Sequence, residues 1–255
     1  MGTPWDASTY DRSSAPQQSW ASDVLDRLEG LAPDATVLDV GCGTGRVTEA
    51  LVGLVPQGRV LALDASADMV ALARERLGDR AAVWCQDVLE LDLDEPVDAI
   101  LSTATLHWVT DHDSLWPRLG GALRPGGRLE IQCGGQGNIA RVRESIESAA
   151  RDTAPELVGW SPWTFAGPEE TQPRLEQAGF TAIRCWLEER PTRPDDPDAF
   201  VRTSILPAHL ARLPAERREP FAAAVMAGVR LPLDYVRLNV SAVRGHDLDS
   251  RARAD

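Results

Sequence analysis

A strand that runs unbroken into three alternating glycines, and then into a helix, constrains this chain more than any other stretch. Thr36–Val40 is a short apolar run of the kind a buried strand presents. Gly41, Gly43 and Gly45 follow at every second position, and Arg46–Leu54 carries Val47, Leu51 and Leu54 at helical spacing. Glycines suit such a turn because they accept positive φ and let a ligand lie against bare backbone. The start of the helix leaves amide N–H groups for electron-rich parts of that ligand.

A second apolar run, Val60-Leu61-Ala62-Leu63, ends in Asp64, about twenty residues after the glycines. A carboxylate at that strand end accepts hydrogen bonds from both hydroxyls of a ribose. Ser66 and Asp68 are helix-start residues, and Met69 opens the apolar face that follows. The glycine spacing departs from G-x-G-x-x-G, which receives a pyrophosphate. With Asp39 ahead of the glycines it reads D-x-G-x-G-x-G. That form resembles motif I of the class I S-adenosylmethionine-dependent methyltransferases, whose cofactor carries an amine and a sulfonium but no phosphate.

The resemblance implies a set of cofactor contacts. Gly41, Cys42, Gly43 and Gly45 face the amino acid and ribose, with Asp39 near the ammonium and Asp64 on the ribose. Ala65 and Met69 line the adenine, and Ser102, near the end of the fourth strand, borders the same cleft. After the third strand, Asp87 meets the adenine amino group and the Val88 amide meets the ring, unless Asp87 is a surface turn.

Periodicity predicts helices over 22–31, 67–77, 111–123, 138–150, 169–177, 198–210 and 215–228. It predicts further strands over 81–85, 97–102, 128–133, 180–187 and 233–243, with a turn at 124–127. Seven strands with helices between them give an α/β fold, a doubly wound, Rossmann-like sheet whose last strand is antiparallel in the family it resembles. The helices at about 194–230 then form a small cap over the substrate side. One domain covers 1–245, with a leading segment over 1–20 and a charged tail over 246–255. Trp5, Tyr10 and Trp20 need apolar surface, either as a lid over the cofactor mouth or as an N-terminal clasp.

The resemblance narrows at four further places. Trp5-Asp6 with Tyr10, Leu106-His107-Trp108-Val109, Gly134-Gly135-Gln136-Gly137-Asn138 and Asp234-Tyr235-Val236-Arg237-Leu238 resemble the trans-aconitate and juvenile hormone acid methyltransferase group. Such enzymes turn carboxylates of small acids into methyl esters. The resemblance implies that Gln17, with Gln18 as the neighbouring alternative, and Trp108 hold the acceptor carboxylate, and that Tyr10 lies beside the cofactor. Trp160, Trp163 and Phe165 suit an apolar or single-acid substrate, and no arginine is assigned to a carboxylate at this stage.

Composition sets the outer limits. The 255 residues carry a net charge of −13, with a pI of about 4.8, which argues against nucleic acid or an anionic membrane as partner. A small acid needs only local donors. Cys42, Cys85, Cys133 and Cys185 are far apart, form no C-x-x-C pair and suggest no metal site. They are expected as buried free thiols of a cytoplasmic protein. The polar start of the chain lacks an apolar signal core. The expected partner is a small-molecule acceptor, and monomer and dimer stay open.

A carboxylate is nucleophilic at neutral pH, so its methylation needs no general base. His107, after the fourth strand, either shapes the pocket or serves as catalytic base toward a hydroxyl or amine acceptor. A nicotinamide dehydrogenase shares the fold but lacks the pyrophosphate spacing here. A protein that binds the cofactor without methyl transfer is the remaining alternative.

Overall fold

The computed structural model describes residues 15–246. Trp5, Tyr10 and the tail therefore lie outside the described residues, as do the side chains of Gln17 and Gln18. The elements run α1 (Ala15–Asp26), β1 (Thr36–Val40), α2 (Arg46–Leu54), β2 (Arg59–Asp64), α3 (Ala67–Leu77), β3 (Ala82–Cys85) and β4 (Val97–Thr103). Then come α4 (His112–Ala122), β5 (Leu123–Gly134), α5 (Ala140–Thr153), α6 (Pro168–Gln177) and β6 (Phe180–Glu189). The last are α7 (Pro197–Ser204), α8 (Pro207–Ala211), α9 (Ala215–Gly228) and β7 (Val236–Arg244).

One seven-stranded sheet has the order β3-β2-β1-β4-β5-β7-β6. The first five strands are parallel, and β7 runs antiparallel between β5 and β6. Parallel strands covered on both faces must be apolar on both, and β1 shows why the motif is so legible. Leu38 and Val40 pack on one face with Leu115, Trp116 and Leu119 of α4. Val37 packs on the other with Val24 and Leu28, from α1 and the turn after it, and Leu51 of α2. A third core, built from Ile146, Ala149, Phe200, Phe221 and Val225, belongs to α5, α7 and α9. Trp20 and Tyr235 join it, and Trp108 and Phe165 pack against it, so this layer covers the carboxyl ends of β4 and β5.

Several boundaries differ from the periodicity. The first helix lies over Ala15–Asp26, and the apolar spacing continues to Leu31 through i→i+3 bonds such as Leu28 N–H to Leu25 O. The helix expected over 198–210 is two helices, because Pro207 has no N–H to continue the ladder and starts a new one instead. The turn at 124–127 is a bulge inside β5: Val97 pairs with Leu123, and the register resumes at Ala99 with Arg128. The last strand starts at Val236, while Leu233 makes an isolated bridge to Thr192. Of the cysteines, Cys42 and Cys133 are buried, but Cys185 is half-buried and Cys85 exposed, because β3 is the sheet edge. Among the described residues no helix is long and apolar enough to cross a membrane.

Candidate active site

The strand order reverses between β1 and β4, where a doubly wound sheet opens a crevice at its carboxyl ends. The three glycines of the first turn lie there and are constrained differently. A Cβ on Gly41 would lie 2.1 Å from Thr105 Cγ2 and 2.2 Å from Oγ1, so that position is closed by the loop after β4. A Cβ on Gly45 would press on Ala73 Cα at 3.2 Å, so its absence lets α2 start against α3. A Cβ on Gly43, where φ is +54°, would meet no atom of the described residues within 4 Å.

Asp64, at the end of β2, fastens the turn. Its Oδ2 accepts the Gly43 N–H at 2.9 Å and its Oδ1 the Ser66 N–H at 2.9 Å. Burial pushes its carboxyl above the ordinary carboxylate range, against the pull of these two bonds. Asp39 is buried more deeply, at 1 % exposure. Its Oδ2 accepts the Thr48 hydroxyl at 2.7 Å, whereas its Oδ1 has no hydrogen-bond partner among the described residues. Burial, with the Asp64 charge second, raises its pKa to about 7 despite the Thr48 bond. A buried carboxylate oxygen without a donor among the described residues, beside a glycine whose Cβ position none of them fills, fits a ligand that carries an ammonium group.

The next expected residues follow along the same edge. Ser66 caps α3 by accepting the Met69 N–H at 3.4 Å; Ala65 is exposed and Met69 buried. Gln86 N–H reaches Asp64 O at 3.0 Å, which sets Asp87 and Val88 beside the β2 end. Asp87 is exposed and caps the turn Val88–Glu90 through the Leu89 N–H at 2.9 Å, while Val88 is buried. Cys42 is buried within the glycine turn, and burial pushes its thiol far up. Ser102 is a correction: it is wholly buried and its hydroxyl donates to Val40 O at 2.7 Å, so it ties β4 to β1 instead of bordering a cleft.

Beyond the loop after β4 lies a small cavity of about 40 Å³, partly open to solvent. Ala104, His107 and Trp108 line it from that loop, and Trp163 and Phe165 from the aromatic segment ahead of α6. The Trp163 and Phe165 rings stack 5.5 Å apart at 13°, and His107 stacks on Phe165 at 5.7 Å. Trp160 is a second correction: it does not line the cavity but packs edge-on against His209, with Arg212 over its ring at 4.5 Å. His107 is 7 % exposed, and its Nδ1 accepts the Gly134 N–H at 3.2 Å. Burial, then the Arg237 charge and His112, holds its pKa well below the ordinary histidine value.

Three features of this cavity were not picked out from sequence. Arg237, 2 % exposed on β7, lines it, with its guanidinium carbon 4.9 Å from the Trp20 ring centroid. Ser204, the last residue of α7, lines it too, and its buried Oγ has no hydrogen-bond partner among the described residues. The backbone is also strained here. Ala104 and Ile139 have φ of +54° and +46°, the latter unfavourable for a β-branched side chain, and both line the cavity. The alternation of Arg237, Asn239 and Ser241 against apolar neighbours was the available signal for the arginine; nothing local marks Ser204.

The family model for a methyltransferase domain matches residues 37–127. The chain is 33 % identical to a trans-aconitate 2-methyltransferase of Methylobacterium nodulans over 183 residues, 72 % of this chain and 67 % of that one. It is 38 % identical over 105 residues to a malonyl-[acyl-carrier protein] O-methyltransferase of Anoxybacillus flavithermus, 41 % of this chain and 40 % of that one. Among solved structures, the Haemonchus contortus phosphoethanolamine N-methyltransferase 2 in complex with S-adenosyl-L-methionine superposes with a TM-score of 0.63 at 18 % identity. That match covers 94 % of this chain and 57 % of the other, and it speaks for the fold alone.

Proposed function

Because the chain belongs to the class I S-adenosylmethionine-dependent methyltransferases, we propose that it methylates the carboxylate of a small organic acid, giving a methyl ester. Bound S-adenosylmethionine supplies an electrophilic methyl group on a sulfonium. The residues that would hold it are Asp39, Gly41, Cys42, Gly43 and Gly45 from the first turn, Asp64, Ala65 and Met69 after β2, and Asp87 and Val88 after β3. The demethylated product, S-adenosylhomocysteine, would keep the same contacts.

One observation carries the reading: the loop after β4 is a wall shared by two spaces. Thr105 fills the volume above Gly41 and donates to Gly41 O at 3.1 Å, while Ala104, His107 and Trp108 face the aromatic cavity. An acceptor in that cavity therefore lies next to the cofactor crevice. The chain's contribution is to hold the two together and to exclude water, since a carboxylate is already ionised at neutral pH. The carboxyl class is supported by the trans-aconitate enzyme among the relatives and by a cavity with a buried arginine. Gln17 and Tyr10 stay assigned to the acceptor and cofactor, respectively, by family resemblance.

The test is the chemistry of the transferred label. Enzyme incubated with methyl-labelled cofactor and a panel of small acids, phenols and amines should release its label as methanol on mild alkali treatment. Label that survives alkali, on nitrogen or on an ether oxygen, would exclude an ester. A separate expectation concerns Asp64. Asp64→Ala removes the acceptor of two backbone N–H groups as well as the proposed ribose contact. Cofactor affinity should fall by about 1–3 kcal/mol, roughly 5- to 150-fold. Calorimetric titration with S-adenosylhomocysteine checks it, and unchanged affinity places the ribose elsewhere.

A further inference from the structure

The cavity mixes stacked aromatic rings with polar side chains, and besides Asn138, whose Oδ1 accepts the Val236 N–H at 2.9 Å, three of them come from separate elements, a combination that constrains what fits. His107 comes from the loop after β4, Ser204 from α7 and Arg237 from β7. The Ser204 hydroxyl is buried with no hydrogen-bond partner among the described residues, a cost normally met only where something else supplies the bond. Arg237 is almost wholly buried and lines the cavity, its guanidinium carbon 4.9 Å from the Trp20 ring centroid, so its charge sits in the wall and not in bulk water.

His107 has a defined tautomer. An amide N–H can only donate, so Gly134 N–H on Nδ1 makes that nitrogen the acceptor. The neutral ring then carries its hydrogen on Nε2. A general base needs a bare nitrogen facing its substrate, and the one bare nitrogen here is already engaged by the backbone. Burial and the neighbouring Arg237 charge keep the ring neutral. His107 is therefore a neutral donor at the cavity wall.

We propose that Arg237, His107 Nε2–H and the Ser204 hydroxyl together receive one carboxylate of the acceptor, while Trp163 and Phe165 hold a flat or apolar body. The acceptor class is then a monocarboxylate, with no second cationic side chain among the described residues lining the cavity for a further acid group. The assignment rests on the carboxyl-methylation reading but adds what that reading lacks: the anchoring groups, and a histidine that donates and does not take a proton. Ser204 comes from the cap, so acceptor binding also bridges cap and sheet.

The experiment uses the full chain with S-adenosylhomocysteine bound. Benzoate, phenylacetate, trans-cinnamate and octanoate, each beside its neutral amide, and trans-aconitate are titrated by calorimetry. At least one monocarboxylate should bind about tenfold or more tightly than its amide and than trans-aconitate, since a charge-assisted site loses most when its anion is removed. Ser204→Ala should weaken that acid about three- to tenfold, and Arg237→Met about a hundredfold, with the amide unaffected. Arg237→Lys should restore only part of the loss, because an ammonium lacks the fork. Because Arg237→Met removes a buried group, wild-type ¹⁵N-histidine spectra give a readout independent of its folding. They should show His107 as the neutral Nε2–H tautomer, and an Nδ1–H or protonated ring at neutral pH overturns the donor role. Equal binding of acids and amides, or variants with wild-type affinity, overturns the anion site. Carboxylate binding that is lost in the variants, without alkali-labile transfer, keeps the site and refutes the ester reading. Alkali-labile transfer with unaltered affinities does the reverse.

Discussion

Gly41→Ala should unfold the protein about 10 °C earlier, a loss on the order of 3–5 kcal/mol for a chain of this size. Two costs add. The φ of Gly41 is +75°, where an L side chain is strained by roughly 1–2 kcal/mol. The new methyl would also lie 2.1 Å from Thr105 Cγ2 and 2.5 Å from its Cβ. Neither side can yield easily. Gly41 N–H is pinned to Leu63 O at 2.8 Å, and the single Thr105 hydroxyl hydrogen is shared between Gly41 O at 3.1 Å and Thr103 O at 3.0 Å. Combining Gly41→Ala with Thr105→Gly should recover the steric part and leave the backbone strain, so the two changes are strongly non-additive. Gly43→Ala is the internal comparison. Its Cβ would meet no atom of the described residues, so stability should fall by only about 1 kcal/mol, whereas S-adenosylhomocysteine affinity should drop because the methyl enters the crevice. Thermal and urea denaturation beside calorimetry separate the two glycines. A Gly41→Ala protein that melts within two or three degrees of wild type (about 1 kcal/mol) would show that the loop after β4 is not packed on the turn.

Asp39→Asn should move stability and cofactor binding in opposite directions. The carboxyl is buried, one oxygen lacks a donor among the described residues, and its pKa is raised to about 7, first by burial and then by the Asp64 charge. The folded state therefore holds a proton that the unfolded state has released, between about pH 4 and pH 7. Stability falls as pH rises through that window, and above it the ionised group is a standing cost. Removing it should raise the melting temperature at pH 8, a gain on the order of 2–4 kcal/mol that vanishes below pH 4. The same change takes away the buried charge proposed to face the cofactor's ammonium. S-adenosylhomocysteine should bind about ten- to a hundredfold more weakly, and its affinity for wild type should rise with pH through 7. An asparagine variant that is no more stable at pH 8, and binds as tightly, would mean that Asp39 serves the fold through Thr48 alone. The trade is of the usual kind, in which an active site holds a group that the fold alone would reject.

The pattern of what was legible follows from which interactions are local. The glycine turn, Asp39 and Asp64 were readable because strand, turn and helix are consecutive, and the acid at the second strand tip lies a fixed crossover away. The central parallel strands β1 and β4 were readable because burial on both faces forces continuous apolar runs, whereas β6 and β7 showed as alternation. Segment ends were less so. Pro207 broke a helix whose apolar spacing ran on, and the Leu28–Leu31 turns kept helical spacing without being helix. Ser102 showed the limit of carrying a role by position: its hydroxyl is consumed by Val40 O, a partner 62 residues away.

The sequence by itself determined where the glycine-lined crevice proposed for the cofactor is, because a strand, a glycine turn and a helix start create a backbone surface from adjacent residues. Only the tertiary structure decided what the neighbouring cavity can bind. His107, Ser204 and Arg237 are separated by about a hundred and by about thirty residues, and which face of β7 looks inward is set by its register against β5 and β6. The proton on Asp39 and the hydrogen on His107 are tertiary facts too: one is set by desolvation and the other by a backbone amide 27 residues away.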